Sequence, residues 1–199
     1  QKNNIPVLGI EPAINIAEVA QRDKGVRTIC EFFGTELAES LVDQGLRADV
    51  IHANNVLAHV ADLNGVVQGM QMVLADRGVA IIETPYVRDL VDHCEFDTIY
   101  HEHLCYYSVS SLKPLFERHG LVIAGVEHVP IHGGSLRLYV TKPEARDLVT
   151  GVIADPAIFI EEEIDRGVTN LNFYLQFRER VEASKERLLN YLNDLKNRG

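Results

Sequence analysis

Long apolar runs are missing from this sequence, and with them a helical membrane span, which takes about 18–20 consecutive apolar residues. No signal peptide is recognised at the start. Clustered basic residues are missing too. The formal net charge is −10 and no basic stripe appears. Binding a phosphate backbone needs clustered Lys and Arg, so the composition argues against nucleic acid as the main partner. A nucleotide-bearing small molecule stays open, because one or two local cations can hold it. Cysteine is sparse: Cys30, Cys94 and Cys105, with no C-x-x-C spacing. An odd, scattered set reads as free thiols in a reducing compartment, and the cytoplasm is the expected location. No internal repeat and no low-complexity linker is found. The first residue is Gln1 rather than Met, and a strand-like run begins within five residues. A segment of a longer protein is expected.

What is present is an ordinary globular composition, 199 residues with 46% hydrophobic and 24% charged, long enough to bury a core. Pro6 to Ile10 is a short apolar run, followed by a helical pattern from Ala13 to Lys24 that Gly25 ends. Val26 to Phe33 reads as a second strand and Thr35 to Gln44 as a helix. Ala48 to Ala53 is a third strand, Asp62 to Ala75 a helix with Asp62 as N-cap, and Gly78 to Glu83 a fourth strand. Mostly apolar strands alternating with helices are the pattern of parallel strands buried on both faces. The expected fold class is therefore α/β, a doubly wound sheet with ligands at the carboxyl ends of its strands. Ser110 to His119 then reads as a helix, and Leu121 to Val129 and Ser135 to Val140 as an antiparallel pair. Residues 144–199 are helical and charged. The stripe within Asn170 to Lys196 wants a partner, another domain or another subunit. The expected division is a partial catalytic domain at 1–143 and a helical extension at 144–199.

Four places could carry chemistry. Glu11, at a strand end, suits a ribose diol, because one carboxylate can accept from both hydroxyls; a solvated acid is the plain alternative. Asn54, Asn55 and His59 follow the third strand and serve equally as turn residues. The stretch Glu95 to Ser111 (EFDTIYHEHLCYYSVSS) makes a poor strand and a poor helix interior, and so reads as a loop over a pocket. Its His101-x-His103 pair could bind a metal with His132 or Glu83 as third ligand. Alternatively, an imidazole beside Tyr100 and Glu102 could serve as a general base near neutral pH. His132-Gly133-Gly134-Ser135-Leu136-Arg137 puts two glycines where backbone could approach a ligand closely, or is a plain hairpin turn.

The order GIEP, NNVLAHV, ETPY, EFDTIYHEHLCYYS and HGGSLR resembles the sugar C-methyltransferases. These enzymes use S-adenosylmethionine to methylate a ring carbon of a nucleotide-linked 4-keto deoxysugar. The resemblance covers roughly residues 5 to 195, with YHEH and HGGSLR its most specific parts. It implies a class I methyltransferase (Rossmann-like) sheet that here lacks its first strand and Gly-rich loop, followed by a long helical extension. It implies zinc only in an N-terminal module that this sequence does not contain. For the site it implies His103 as general base, Tyr100 and Glu102 orienting it or the keto sugar, and His59 facing the reacting centre. Glu11 with Pro12 would hold the cofactor ribose, Glu31 to Phe33 would flank the adenine, and Asn55 would lie beside the methionine moiety. Tyr100, Ser135 and Arg137 would meet the sugar nucleotide. Two other readings fit the same residues: a metal-dependent hydrolase or isomerase at the H-x-H loop, and a non-catalytic methyltransferase-like subunit.

Overall fold

The computed structural model describes residues 5–149, 151 and 153–198. The chain opens with β1 (Gly9–Ile10), α1 (Ile14–Lys24), β2 (Thr28–Ile29) and α2 (Thr35–Asp43). Then follow β3 (Ala48–Asn54), α3 (Leu63–Val73), β4 (Leu74–Pro85), α4 (Val87–His93) and α5 (Val109–Arg118). β5 (Val122–Val129), β6 (Ser135–Thr141), α6 (Pro156–Arg166) and α7 (Leu171–Arg198) complete it. Local chemistry sets the boundaries. Gly25 ends α1 in the left-handed region at φ 64°. The Asp62 side chain accepts from the Gly65 N–H at 2.9 Å to start α3. Ser108 and Ser111 form a reciprocal capping box at α5.

Four strands form a mixed sheet in the order β3-β4-β6-β5, with β3 parallel to β4 and the last two antiparallel. The expectation of four consecutive parallel strands in one sheet is corrected. β1 and β2 pair in parallel as a separate two-stranded sheet. Among the described residues, β1 pairs only with β2 and β3 only with β4, so one edge of each is unpaired. An absent central strand would leave this gap. The second strand is also shorter than expected, two residues rather than eight, because Glu31 to Phe33 leaves the ladder. The third helix ends at Val73 and β4 begins at once, with a register break opposite Ala48 to Val50.

The main core lies where one sheet face meets α3 and α5. Ile82, Leu136, Leu138 and Val140 pack there with Val67, Leu112 and Phe116, all fully buried. The opposite face carries a polar row at its carboxyl edge, because register sets Asn54 beside Glu83, Glu83 beside Arg137, and Arg137 beside Glu127. Pairing that alternates side chains thus sends one set to the core and the other to the site.

Several described residues after 143 pack on this body. Phe159 of α6 joins the main core, and Ala154 bridges to Val126. Glu163 is fully buried and accepts from the Tyr86 hydroxyl (2.9 Å), the Val109 N–H (2.7 Å), and the Ser110 N–H (2.8 Å) and hydroxyl. It therefore caps the first turn of α5 from another helix, satisfying N–H groups that have no intrahelical partner. Burial, and next the Glu163 carboxyl group, push the Tyr86 phenol above its ordinary value, so it stays a donor. The first turns of α7 dock through Phe173 on Val87, Leu90 and Val91, and Arg180 donates to the Val91 and Asp92 carbonyls. At 28 residues α7 is about 42 Å long, and Leu188, Leu189, Tyr191, Leu192 and Leu195 on its distal half are exposed. No helix among the described residues is long and apolar enough to cross a membrane.

Candidate active site

The site is built at the carboxyl end of β3 and β4. Backbone leaving β3 turns sharply: Asn55 takes φ 53°, a conformation Asn tolerates better than most side chains, and its N–H donates to the Glu83 carbonyl at 2.7 Å. A short 3-10 turn, Leu57–His59, then lifts His59 to the surface. The loop after α4 folds back over this turn. It is pinned by Leu104 N–H to the Ala58 carbonyl (2.8 Å), by the Tyr107 hydroxyl to the Leu57 carbonyl (3.0 Å), and by Val87 N–H to the Tyr107 carbonyl (2.9 Å).

This folding back brings three of the four expected catalytic residues together. The rings of His59 and His103 meet edge-on at 4.8 Å between centroids, and Tyr100 lies at 4.3 Å on His103. His103 Nδ1 lies 3.2 Å from the Thr98 carbonyl oxygen, which can only accept, so in neutral imidazole Nδ1 carries the hydrogen. Nε2 then presents its lone pair, and the Tyr100 hydroxyl, at 3.1 Å, donates to it. The Thr98 carbonyl also accepts from Tyr106 at 3.2 Å. Thr98 is itself held by a second 3-10 turn, Phe96–Thr98, its N–H and hydroxyl both donating to the Glu95 carbonyl at 3.2 and 2.8 Å. The orienting group is therefore a backbone carbonyl, and Tyr106 and Thr98 are the site residues that sequence reasoning missed. A carbonyl leaves no signature in the side-chain pattern.

Glu102 stands apart. It and His101 occupy the loop tip, with side chains 64% and 91% exposed and 4.0 Å from each other. The expected role of Glu102 in orienting His103 is corrected, since Thr98 supplies that contact. The same geometry separates His101 from His103, and among the described residues no group of three His, Cys, Asp or Glu could hold a metal.

On the other sheet, Glu11 sits at the end of β1. One carboxyl oxygen accepts from the Ala13 N–H at 2.8 Å, fixing the group at the strand terminus. Pro12 and Glu31 are exposed, while Phe33 turns inward between two hydrophobic clusters. Its neighbour Phe32 is the aromatic presented outward, at 83% exposure. Two adjacent phenylalanines at a strand end give no pattern that says which one faces in. Asn55 Oδ1 is buried with no hydrogen-bond partner. A buried acceptor without a donor is costly, and it suits a ligand that brings an N–H.

Ser135 and Arg137 are placed at the same edge but are committed within the fold. Ser135 is fully buried and donates to the Ile131 carbonyl at 2.9 Å. Arg137 lays Nε and Nη2 on one Glu83 oxygen at 3.1 and 2.9 Å, with Nη1 3.4 Å from Glu127. The Glu83 hydrogen bond holds its guanidinium above the ordinary value.

Residues 1–125 match the family model described as a methyltransferase domain. The chain belongs to this methyltransferase family. Residues 130–199 match a second model, described as a C-methyltransferase C-terminal domain. Among curated proteins, the C-methyltransferase NovU of Streptomyces niveus is 34% identical over 186 residues. The match covers 92% of this chain and 43% of NovU, so the chain spans less than half the length of that relative. Solved methyltransferases share the fold at low identity. Magnesium protoporphyrin IX methyltransferase from Synechocystis, solved with bound SAH, aligns with a TM-score of 0.53 at 13% identity, over 71% of this chain and 66% of that one. A possible histamine N-methyltransferase from Thermotoga maritima gives 0.50 at 19%, over 68% and 72%. These likenesses establish the class I methyltransferase fold.

Proposed function

We propose that the protein containing this chain transfers a methyl group from S-adenosylmethionine to a ring carbon next to the ketone of a nucleotide-linked deoxysugar. The observation that carries the reading is the unprotonated Nε2 of His103, set by the Thr98 carbonyl at Nδ1 and holding the Tyr100 hydroxyl, a contact that a substrate C–H would displace. A carbon–hydrogen bond beside a ketone is acidic enough for such a base. His103 Nε2 would take that proton, leaving the bonding pair on the substrate as an enolate; the enolate carbon would then bond the methyl as the methyl–sulfur bond breaks and the sulfur leaves as a neutral thioether. His59, packed edge-on against His103, would donate to the enolate oxygen. The match to a C-methyltransferase domain and to NovU supports carbon as the acceptor.

The cofactor residues fit the group they would hold. Asn55 Oδ1 would accept from the methionine ammonium, Glu11 would use its remaining oxygen on the ribose, and Phe32 would lie beside the adenine. When bound, S-adenosylmethionine supplies an electrophilic methyl on a sulfonium. The protein contributes position: it would hold the base beside the proton and the acceptor carbon in line with the methyl–sulfur bond, and such positioning by itself accelerates bimolecular reactions by many orders of magnitude.

Two experiments on the full-length protein test this. Glu11→Ala is expected to weaken S-adenosylmethionine binding in calorimetry by about 10–100-fold, the loss of one or two charge-assisted hydrogen bonds. Unchanged affinity in a folded variant would remove Glu11 from the ribose. His101→Ala is expected to leave methyl transfer within about twofold of wild type, because the ring is exposed and away from His103. A loss approaching that of a His103 variant would instead favour a site that uses both histidines.

A further inference from the structure

The HGG turn is built differently from what a ligand-approach motif requires. His132, Gly133 and Gly134 all take positive φ, at 52°, 79° and 141°. The space that β-carbons at the two glycines would fill is already occupied. The Glu95 carboxylate lies where a Gly133 β-carbon would go, and Asp89 Oδ2 lies where one on Gly134 would go. Both carboxylates belong to the segment leading into the catalytic loop. Asp89 is on α4, nearly buried, contacted by His128 Nε2 and by Arg88 Nε at 3.3 Å. Glu95 follows α4, with His93 Nδ1 set between its carboxylate (3.4 Å) and the Gly133 carbonyl (3.1 Å). The Tyr86 N–H, just ahead of α4, donates to the Gly134 carbonyl at 3.0 Å.

From this arrangement we propose that Glu95 is a positioning residue that couples the 132–134 turn to the orientation of His103. Its side chain packs on Gly133, and its main-chain carbonyl receives both the N–H and the hydroxyl of Thr98. The Thr98 carbonyl receives the Nδ1 hydrogen of His103. One residue therefore joins the turn to the hydrogen bond that decides which imidazole nitrogen is basic. The positive φ at both glycines disfavours any β-carbon, and one added there would also displace the Glu95 or Asp89 carboxylate. The role rests on His103 acting through Nε2, but the coupling is geometric and is readable without turnover.

The test is two-bond proton–nitrogen NMR on full-length protein labelled with ¹⁵N at histidine, recorded above the imidazole titration range. Wild-type His103 is expected in the Nδ1–H form. Gly133→Ala drives a β-carbon into Glu95, and the His103 pattern is expected to shift toward a mixture of both tautomers. In a Glu95→Ala background, the same Gly133→Ala change is expected to leave His103 where Glu95→Ala alone puts it. An equal shift in both backgrounds, or no shift in either, overturns the coupling. If Gly133→Ala does not fold, Glu95→Ala alone decides: amide exchange at residues 133 and 134 should quicken at least tenfold while His119 is unmoved. Unchanged exchange overturns the proposal. A wild-type Nε2–H pattern would instead sink the reading of His103 as base, while its dependence on Glu95 is still read from the same spectra.

Discussion

His103→Asn in the full-length protein is expected to lower kcat for methyl transfer by about 10²–10⁴, the range for loss of a positioned general base. That corresponds to about 3–5 kcal/mol in the barrier. Asparagine keeps a polar side chain on the loop but cannot take up a proton, so the loss should fall on the chemical step. Binding should be nearly untouched, because the residues that would hold the cofactor, Glu11, Asn55 and Phe32, lie on other elements. S-adenosylmethionine affinity is expected within about twofold of wild type. Rapid-quench measurement of transfer alongside calorimetric binding checks both halves. Turnover within tenfold of wild type would show that another group takes the proton. A parallel collapse of cofactor affinity would mean the loop had been disordered rather than disarmed.

Glu163→Ala is expected to destabilise the folded state by about 3–5 kcal/mol in denaturant unfolding. The residue is fully buried and its two oxygens satisfy the Tyr86 hydroxyl, two N–H groups in the first turn of α5, and the Ser110 hydroxyl. Deleting the carboxyl group strands these donors away from water and opens a void between α6 and α5. Glu163→Gln keeps the shape and one acceptor but turns an amide NH₂ toward donors, and a loss of about 1–3 kcal/mol is expected. A Glu163→Ala loss below about 1 kcal/mol would show that water or a local rearrangement replaces the contact. Because Tyr86 joins Glu163 to the end of β4 and, through its N–H, to Gly134, the damage should reach the edge that carries the site. Fast exchange of the Val109 and Ser110 amides would locate it.

Much of the fold is legible along the chain because the governing forces are local or periodic. Gly25 and Asp62 bound their helices by geometry that needs only a few neighbours. The β5 and β6 runs, joined by the short Gly-containing stretch Pro130 to Gly134, signal an antiparallel pair, and the structure forms one. Short elements were harder. Val26 to Phe33 reads as a strand by composition, yet only Thr28 and Ile29 find a partner, since ladder hydrogen bonds require a neighbour that composition cannot supply. Residues after 143 read as an extension because their charge hides a few deep anchors. Phe159 is the one aromatic of α6 and Glu163 one of its four acids, and only packing reveals both as buried.

The same division runs through the site. Residue types capable of acid–base chemistry, and their order along the chain, were fixed by the sequence: Tyr100, His101, Glu102 and His103 on one loop, His59 after β3, Glu11 after β1. Which of them meet was not, because a loop has no period from which direction can be read. Folding back over Leu57 and Ala58 sets His103 against His59 and Tyr100 and leaves His101 and Glu102 facing solvent. The orienting partner of His103 turned out to be a main-chain carbonyl, which every residue possesses and no sequence pattern marks. The HGG glycines carried a readable need for backbone freedom. That the Asp89 and Glu95 carboxylates pack against them is decided by tertiary packing, because only there do side chains more than 35 residues apart compete for the same volume.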